Sequence, residues 1–358
     1  MGVDEPYLRM LQHIYSNKRF FVRDPFGESD VRPQNTGLAQ GDSLSCVLLN
    51  LLTTVIMHDA EQVWRRDFDQ SVPSAHEFRE HFAFDHVLYA DDTNLVNTSL
   101  FGLRFMLHAV EKEAKRYGLT LNMSKTALLR LGIAKKRPTP NLRSLDGSRV
   151  KEKDIDYTLG FPLGARGTNK RMVGERISAM TLAMNQYKLI WTSKMSTKKK
   201  IEKYQSLVLS KATWGLHLLA LGKTEFKKLE YYHIRCLRRI LGIKASYISR
   251  VSNDDVLKKA NFPCFRSFVR LRQFQLLGHV LRLTQDDPDF RVCFQVGTLC
   301  DPCLPVPFKR RKGRPRARWA EVLISDFIEQ YPNQSRQDIY HLAQDRSRWR
   351  AATLRLSL

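Results

Sequence analysis

The sequence predicts an α+β fold: helices on one face of an antiparallel sheet, followed by a chain that stays helical to its end. Three observations lead there. An apolar run, His86-Val87-Leu88-Tyr89, and a second, Leu95-Val96, flank a tight turn, which reads as a β-hairpin. Apolar residues recur at helical spacing on both sides of that hairpin. From about residue 168 onward the helical period dominates. With 358 residues, 43% of them hydrophobic, the chain can bury a sizeable core and hold two or three domains.

In order along the chain, residues 7–22 read as a helix leading into a short strand, and Gly27 and Pro33 punctuate a loop. Asp42 or Ser43 can cap a helix with Leu44, Leu48, Leu51 and Val55 on its apolar face, running to about Arg66. Residues 68–80 are polar and read as a loop before the hairpin. Ser99 caps the next helix, with Leu103, Met106, Val110 and Ala114 on one face, and Gly118 sits where a left-handed C-terminal residue belongs. Residues 119–131 read as extended, and 132–148, rich in Pro, Lys and Arg, as a loop. Tyr157-Thr158-Leu159-Gly160 begins another extended piece. Ile177, Met180, Met184 and Tyr187 form a helical stripe, as do Ile201, Tyr204, Val208 and Ala212. Thr224 is placed to cap a helix carrying Phe226, Leu229, Cys236 and Ile240. These stripes read as core, and Lys170, Arg171, Lys198, Lys199, Lys200, Arg235 and Arg238 as the exposed faces.

Charge divides the chain. The formal net charge is +23, which implies a polyanionic partner, nucleic acid before membrane. Residues 1–100 hold 8 Lys/Arg against 15 Asp/Glu, whereas residues 101–358 hold 51 against 21. An acidic part suits a cation-binding floor, and a basic part suits a surface that grips phosphates. The six cysteines are scattered, which fits free thiols in a reducing compartment and argues against a disulfide scaffold. Cys300 and Cys303 form a CxxC; zinc there would need His279 with Cys293 or Cys264 as further ligands, a spacing that fits no standard pattern. The acidic N-terminus carries no apolar signal core. The stretch Leu44–Met57 is too short and too polar to span a bilayer and reads as a buried helix, so no membrane partner is expected.

Asp91 and Asp92 fall at the hairpin turn. Adjacent carboxylates repel as free anions, and a divalent cation removes the repulsion. Mg²⁺ prefers oxygen ligands, often one or two carboxylates with substrate phosphates. Alone, Asp-Asp is a common surface turn. Here it stands between Gln40-Gly41-Asp42-Ser43-Leu44-Ser45 and Gly118-Leu119-Thr120-Leu121-Asn122-Met123-Ser124-Lys125-Thr126. In this order the three segments resemble the palm motifs of reverse transcriptases, most closely the non-LTR (LINE-like) retrotransposon type. The segments 277–282, 313–316 with Trp319, and 345–350 also resemble LINE-type C-terminal sequence.

The resemblance implies a partial right-hand polymerase palm over 1–165, a helical thumb over 166–245, a helical extension over 246–300, a basic linker over 301–319 and a helical segment over 320–358. It implies RNA-directed DNA synthesis from dNTPs with Mg²⁺ at a two-metal site, on an RNA template with a DNA primer or nicked DNA target. Asp91 would be the main metal ligand and Asp92 a second ligand or electrostatic support. Tyr89 would lie under the primer end, or serve as a sheet aromatic. Gln40 and Gly41 would approach template or nucleotide. Lys125 would neutralise or protonate the departing pyrophosphate, or be a surface lysine. Leu159 and Gly160 would form the turn that supports the primer. Where the family often has proline, this chain has Ser43 and Cys46, a mild departure because a helix can start on serine.

One expected part is missing. The family places its first metal aspartate on a strand before the Gln-Gly segment, and Asp4, Asp24 and Asp30 do not sit in such a strand. Phe82-Ala83-Phe84-Asp85 looks similar but follows Gln40 and is rejected. The expectation is a truncated enzyme, weak or inactive alone, with a hairpin lacking its central partner strand. A missing N-terminal half could act in trans, and the alternative is a non-catalytic nucleic-acid-binding remnant. Finally, Lys309, Arg310, Arg311, Lys312, Arg314, Arg316 and Arg318 crowd one basic run, which can bind nucleic acid, direct the chain to the nucleus, or be a solvated linker.

Overall fold

The structure, a computed structural model, describes residues 4–16, 18–34, 37–38, 41–68, 85–131, 141–164, 168–297 and 318–356. The first helix, α1 (Glu5–Ser16), has no buried residue, and the two small strand pairs that follow, β1 (Arg19–Phe20) with β4 (Arg32–Pro33) and β2 (Arg23–Asp24) with β3 (Gly27–Glu28), are exposed throughout. Helix α2 runs from Ser43 to Phe68. Asp42 Oδ1 accepts from the Leu44 N–H at 3.1 Å, so Asp42 caps it, and Tyr15 and Lys18 reach the other Asp42 oxygen.

Helix α2 buries a different face from the one its sequence suggested. Ile56, Met57, Ala60 and Trp64 are buried, while Leu51 is exposed. The reason is its partner. Helix α3 (Leu100–Arg116) presents Met106, Ala109 and Val110, and these meet only the C-terminal half of α2. By length and composition Ser43–Arg66 could cross a membrane, a point the shorter Leu44–Met57 reading missed. The buried residues Ile56, Met57, Ala60 and Trp64 lie in its second half, whereas Val47 and Leu51 in the more apolar first half are exposed, so the expectation of a buried helix holds only for the second half. Ser99 caps α3 as expected, its hydroxyl accepting from the Gly102 N–H at 2.9 Å, and Gly118 is left-handed at φ +74.

The hairpin forms as β5 (His86–Tyr89) and β6 (Asp92–Leu95), antiparallel, with Tyr89 opposite Asp92. Of the expected extended piece at 119–131 only β7 (Ala127–Leu129) forms a strand, after a turn at residues 123–125, and it pairs parallel with β8 (Lys151–Lys153). Strands β9 (Ile155–Thr158) and β10 (Phe161–Gly164) form a second hairpin. The α+β class holds, but the single antiparallel sheet does not. Among the described residues the strands make five separate pairs, one of them parallel. Neither β5 nor β6 pairs with a third strand among the described residues, so no central strand joins the pieces into one layer.

The rest is helical. Helix α4 (Asn169–Gln186), α5 (Lys188–Thr192) and α6 (Thr197–Tyr204) lead through one π turn, Gln205–Leu209, into α7 (Ser210–Thr213). The π turn falls within the predicted stripe of Ile201, Tyr204, Val208 and Ala212, all four of which are buried. Helix α8 (Lys223–Leu241) starts two residues earlier than a Thr224 cap predicts, with Gly222 as its cap residue. Helices α9 (Ser246–Ser249), α10 (Asn253–Ala260) and α11 (Phe265–Val280) follow, and α4 through the start of α11 share one core that extends to Val269. A second core begins at Phe274 and runs through α12 (Pro288–Cys293), α13 (Trp319–Gln330), α14 (Arg336–Gln344) and α15 (Arg346–Leu356). Helix α11 belongs to both and ties them together.

Arg238 corrects the expectation of an exposed basic face. It is buried, and its guanidinium donates to the Lys244 and Val251 carbonyls and to Asn253 Oδ1. Those acceptors lie just beyond the C-terminus of α8, where a cation offsets the unpaired carbonyls. Lys200 is likewise only partly exposed, with Nζ donating to the Trp191 carbonyl at 2.9 Å.

Candidate functional site

Alternation decides which hairpin residues face outward. Leu88 and Leu95 pack on the α2–α3 core. Tyr89 and Asp92, an opposed pair, project from the other face with Val87 and Asn94. Tyr89 is 60% exposed, and both aspartates are exposed. Ala90 occupies the first turn position at φ 52, a region that favours glycine. The turn thus holds a non-glycine residue in strained backbone and places Asp91 next to it.

Thr158 joins the second hairpin to the first. Its hydroxyl donates to Asn94 Oδ1 at 3.3 Å, on the Tyr89–Asp92 face. Leu159 and Gly160 are both left-handed, at φ 52 and 73, and form the tip between β9 and β10. Leu159 is exposed there. The structure therefore brings together Asp91, Asp92, Tyr89, Leu159 and Gly160 as two linked hairpins. Trp214, which sequence reasoning missed, lies against the second tip, with a Cβ built on Gly160 falling 3.8 Å from its ring. Its only sequence signal is the Trp-Gly step after a helical stripe.

Other predicted residues stand apart. Lys125 is exposed in a turn closed by Asn122, whose carbonyl accepts from the Lys125 and Thr126 N–H groups. It makes no ion pair with Asp91 or Asp92. Leu121 and Met123 root that turn in the core cluster that includes Leu95, at the hairpin end away from Asp91. Gly41 is exposed at φ +88, directly before the Asp42 cap. Gln40, Cys300, Cys303 and the basic residues Lys309, Arg310, Arg311, Lys312, Arg314 and Arg316 lie outside the described residues. Arg318 is described, within 3.9 Å of Glu321 at the start of α13.

Two carboxylates from one turn supply part of a divalent-cation site. A two-metal site needs further oxygen ligands. Among the described residues no group of three or more His, Cys, Asp or Glu side chains is placed to hold a metal. The described residues therefore do not fit a complete two-metal centre, and Cys264, Cys293 and His279 do not gather into a zinc site. Asp85 is no substitute ligand. It sits at the far end of β5, bound to His86 Nδ1 at 2.7 Å.

Residues 5–163 match the family model described as reverse transcriptase (RNA-dependent DNA polymerase). The match takes in the α2 segment, both hairpins and the Lys125 turn. A putative transposon-derived protein of Caenorhabditis elegans is 25% identical over 246 residues, which is 68% of this chain and 82% of the relative. That alignment must reach beyond residue 163, because the family match is shorter than 246 residues. Members of this polymerase family copy a nucleic-acid template from dNTPs, generally with divalent metal. The two linked hairpins, with paired acids on one tip, thus lie within residues 5–163, the segment that is similar to the reverse transcriptase family.

Proposed function

We propose that this chain is the motif-bearing palm portion and thumb of a LINE-like reverse transcriptase, acting in RNA-templated DNA synthesis on a DNA primer or target. The observation that carries the reading is the pair Asp91–Asp92 at an exposed hairpin tip inside the matched domain. Mg²⁺ is the proposed cation, with Asp91 and Asp92 on one side of it. The remaining ligands come from substrate phosphates and from a further palm strand. Among the described residues neither β5 nor β6 has a third strand beside it, and such a strand would pair at one of those edges. Tyr89 faces the same way as Asp92 and is proposed to lie under the primer end. Lys125 is proposed to act only after its turn moves toward the acids. The basic run through Arg318 is proposed to hold nucleic acid and to direct the protein to the nucleus.

The test is primer extension on an RNA template with Mg²⁺, by the chain alone and with the family's N-terminal half added. Asp91→Asn should cost more than about a hundredfold in rate, since even outer-shell changes at metal sites reach that range. Its melting temperature should not fall. Wild-type activity no greater than that of Asp91→Asn under both conditions would reject catalysis.

A second reading is favoured by the lack of a third acidic ligand among the described residues. The chain would then bind nucleic acid without catalysis. Affinity would fall steeply with salt and be indifferent to Asp91→Asn.

A further inference from the structure

Trp214 is held more firmly than its exposure explains. The next residue, Gly215, is left-handed at φ +72, and a Cβ there would overlap the Met172 methyl group and crowd the Phe161 ring. The 214–215 turn is thus wedged between β10 and α4 and cannot drift. The Phe161 and Trp214 rings are 6.5 Å apart between centroids. The tip of the β9–β10 hairpin lies against the indole edge at Gly160. Yet 41% of Trp214 stays exposed, whereas Trp64, Trp191 and Trp349 are buried in cores. A tryptophan fixed on several sides and open on another is a preorganised aromatic surface.

The surroundings of that surface are cationic. The Arg176 guanidinium lies 5.2 Å from the Trp214 ring centroid. Among the described residues its Nη1 makes a long hydrogen bond to the Lys211 carbonyl and its buried Nε has no partner. Arg272 donates to Thr213 Oγ1, one residue before the indole. None of Arg176, Lys211 or Arg272 has a carboxylate partner among the described residues. Residues 168–245 hold 17 Lys/Arg against 4 Asp/Glu. A partly exposed indole with a guanidinium over its ring, among cations without carboxylate partners among the described residues, suits one class of ligand: a nucleic-acid strand, whose bases stack with the ring and whose phosphates meet the arginines.

We propose that Trp214 and Arg176, together with the Leu159–Gly160 tip, form a stacking platform for the nucleic-acid strand that leaves the Asp91–Asp92 hairpin. The bond from Thr158 to Asn94 fixes the platform relative to that hairpin. The proposal rests on the reading of the chain as a nucleic-acid polymerase, and adds which residues grip the strand and by what chemistry. Trp214 is a positioning residue here, with no part in bond making.

Fluorescence anisotropy of the full chain, titrated into labelled oligo(dT) and an RNA–DNA primer–template, tests it. Trp214→Ala should weaken binding by about fivefold to a hundredfold, the range for losing one base–aromatic stack. The slope of log affinity against log salt should not change. Trp214→Phe should restore most of the affinity. Arg176→Gln should instead lower the salt slope by about one. If Trp214→Ala misfolds, acrylamide quenching supplies a second readout. Bound oligo(dT) should protect a fluorescence component that is missing in Trp214→Phe. A folded Trp214→Ala with wild-type affinity, or no such protection, overturns the platform. Weakened binding in a chain that never extends a primer supports the platform and removes catalysis. Primer extension with unchanged Trp214→Ala affinity removes the platform and keeps catalysis.

Discussion

Helices α4 to α15 close over two large cores joined by α11, whereas the layer that carries Asp91 and Asp92 closes over two small ones. The small cores hold Trp64, Met106 and Val110 on one side, and Leu107, Leu128 and Leu142 on the other. Helix α1 and strands β1 to β4 add no buried side chain, and Phe26 is 97% exposed. The comparison teaches where stability and chemistry are placed. The basic helical part is a rigid support. The acids stand on a hairpin held by few apolar contacts, where local opening is least costly.

The largest effect should separate the two regions through tryptophan. Trp349 stacks on Phe327, with planes 2° apart, and its Nε1–H donates to the Phe274 carbonyl at 2.9 Å. A Cβ on Gly278 would run into the same indole, so that glycine is required by close approach. Trp349→Ala should cost about 3–5 kcal/mol by urea denaturation. Trp64 is as deeply buried, but its Nε1–H has no partner among the described residues. Trp64→Phe removes an unpaired donor and should cost less than about 1.5 kcal/mol. A larger loss from Trp64→Phe would show that the small core is packed as tightly as the large one.

A pH effect of roughly 3 kcal/mol should mark the helical region alone. His233 is fully buried between the Tyr204 hydroxyl and the Pro263 carbonyl, at 2.8 and 3.3 Å. The Pro263 carbonyl can only accept, so Nε2 carries the proton and Tyr204 donates to Nδ1. Burial pushes the imidazole down to about 4. The unfolded chain therefore binds a proton between pH 6.5 and about 4 that the folded chain does not. Stability is fully present above pH 6.5 and is lost as pH falls toward 4. His233→Gln should flatten that slope in hydrogen exchange of α8, while exchange in α2 should not respond. Nearby Cys236, pushed up to about 12 by burial, stays an unreactive thiol throughout.

How much of this was legible in the sequence follows from the range of the interactions. The hairpin, the Ser99 cap and the stripes Met180–Met184 and Ile201–Ala212 depend on neighbours within a few residues, and each formed as read. The buried face of α2 was misread because it depends on α3, more than 40 residues away. Arg238 was misread because its acceptors lie on the loop after its own helix. At the site, the paired acids and the Leu159–Gly160 turn were visible as motifs. Trp214 was not, because only the folded chain brings residue 214 to residue 160.

The smallest effect concerns the strain at the acid tip. Ala90 at φ 52 bears the cost of a left-handed L-residue, about 1 kcal/mol. Ala90→Gly removes that strain but gains freedom in the unfolded chain, which takes back part of the benefit. The net gain should be about 0.5 kcal/mol, read as slower hydrogen exchange at the amides of β5 and β6. Melting of the helical region should not change, since no core residue is touched. If exchange instead speeds up, the turn does not hold Ala90 in strained backbone. If exchange slows while nucleic-acid binding at the tip weakens, the strain serves to hold Asp91 and Asp92 in place, and the lightly packed layer is rigid where the acids need it.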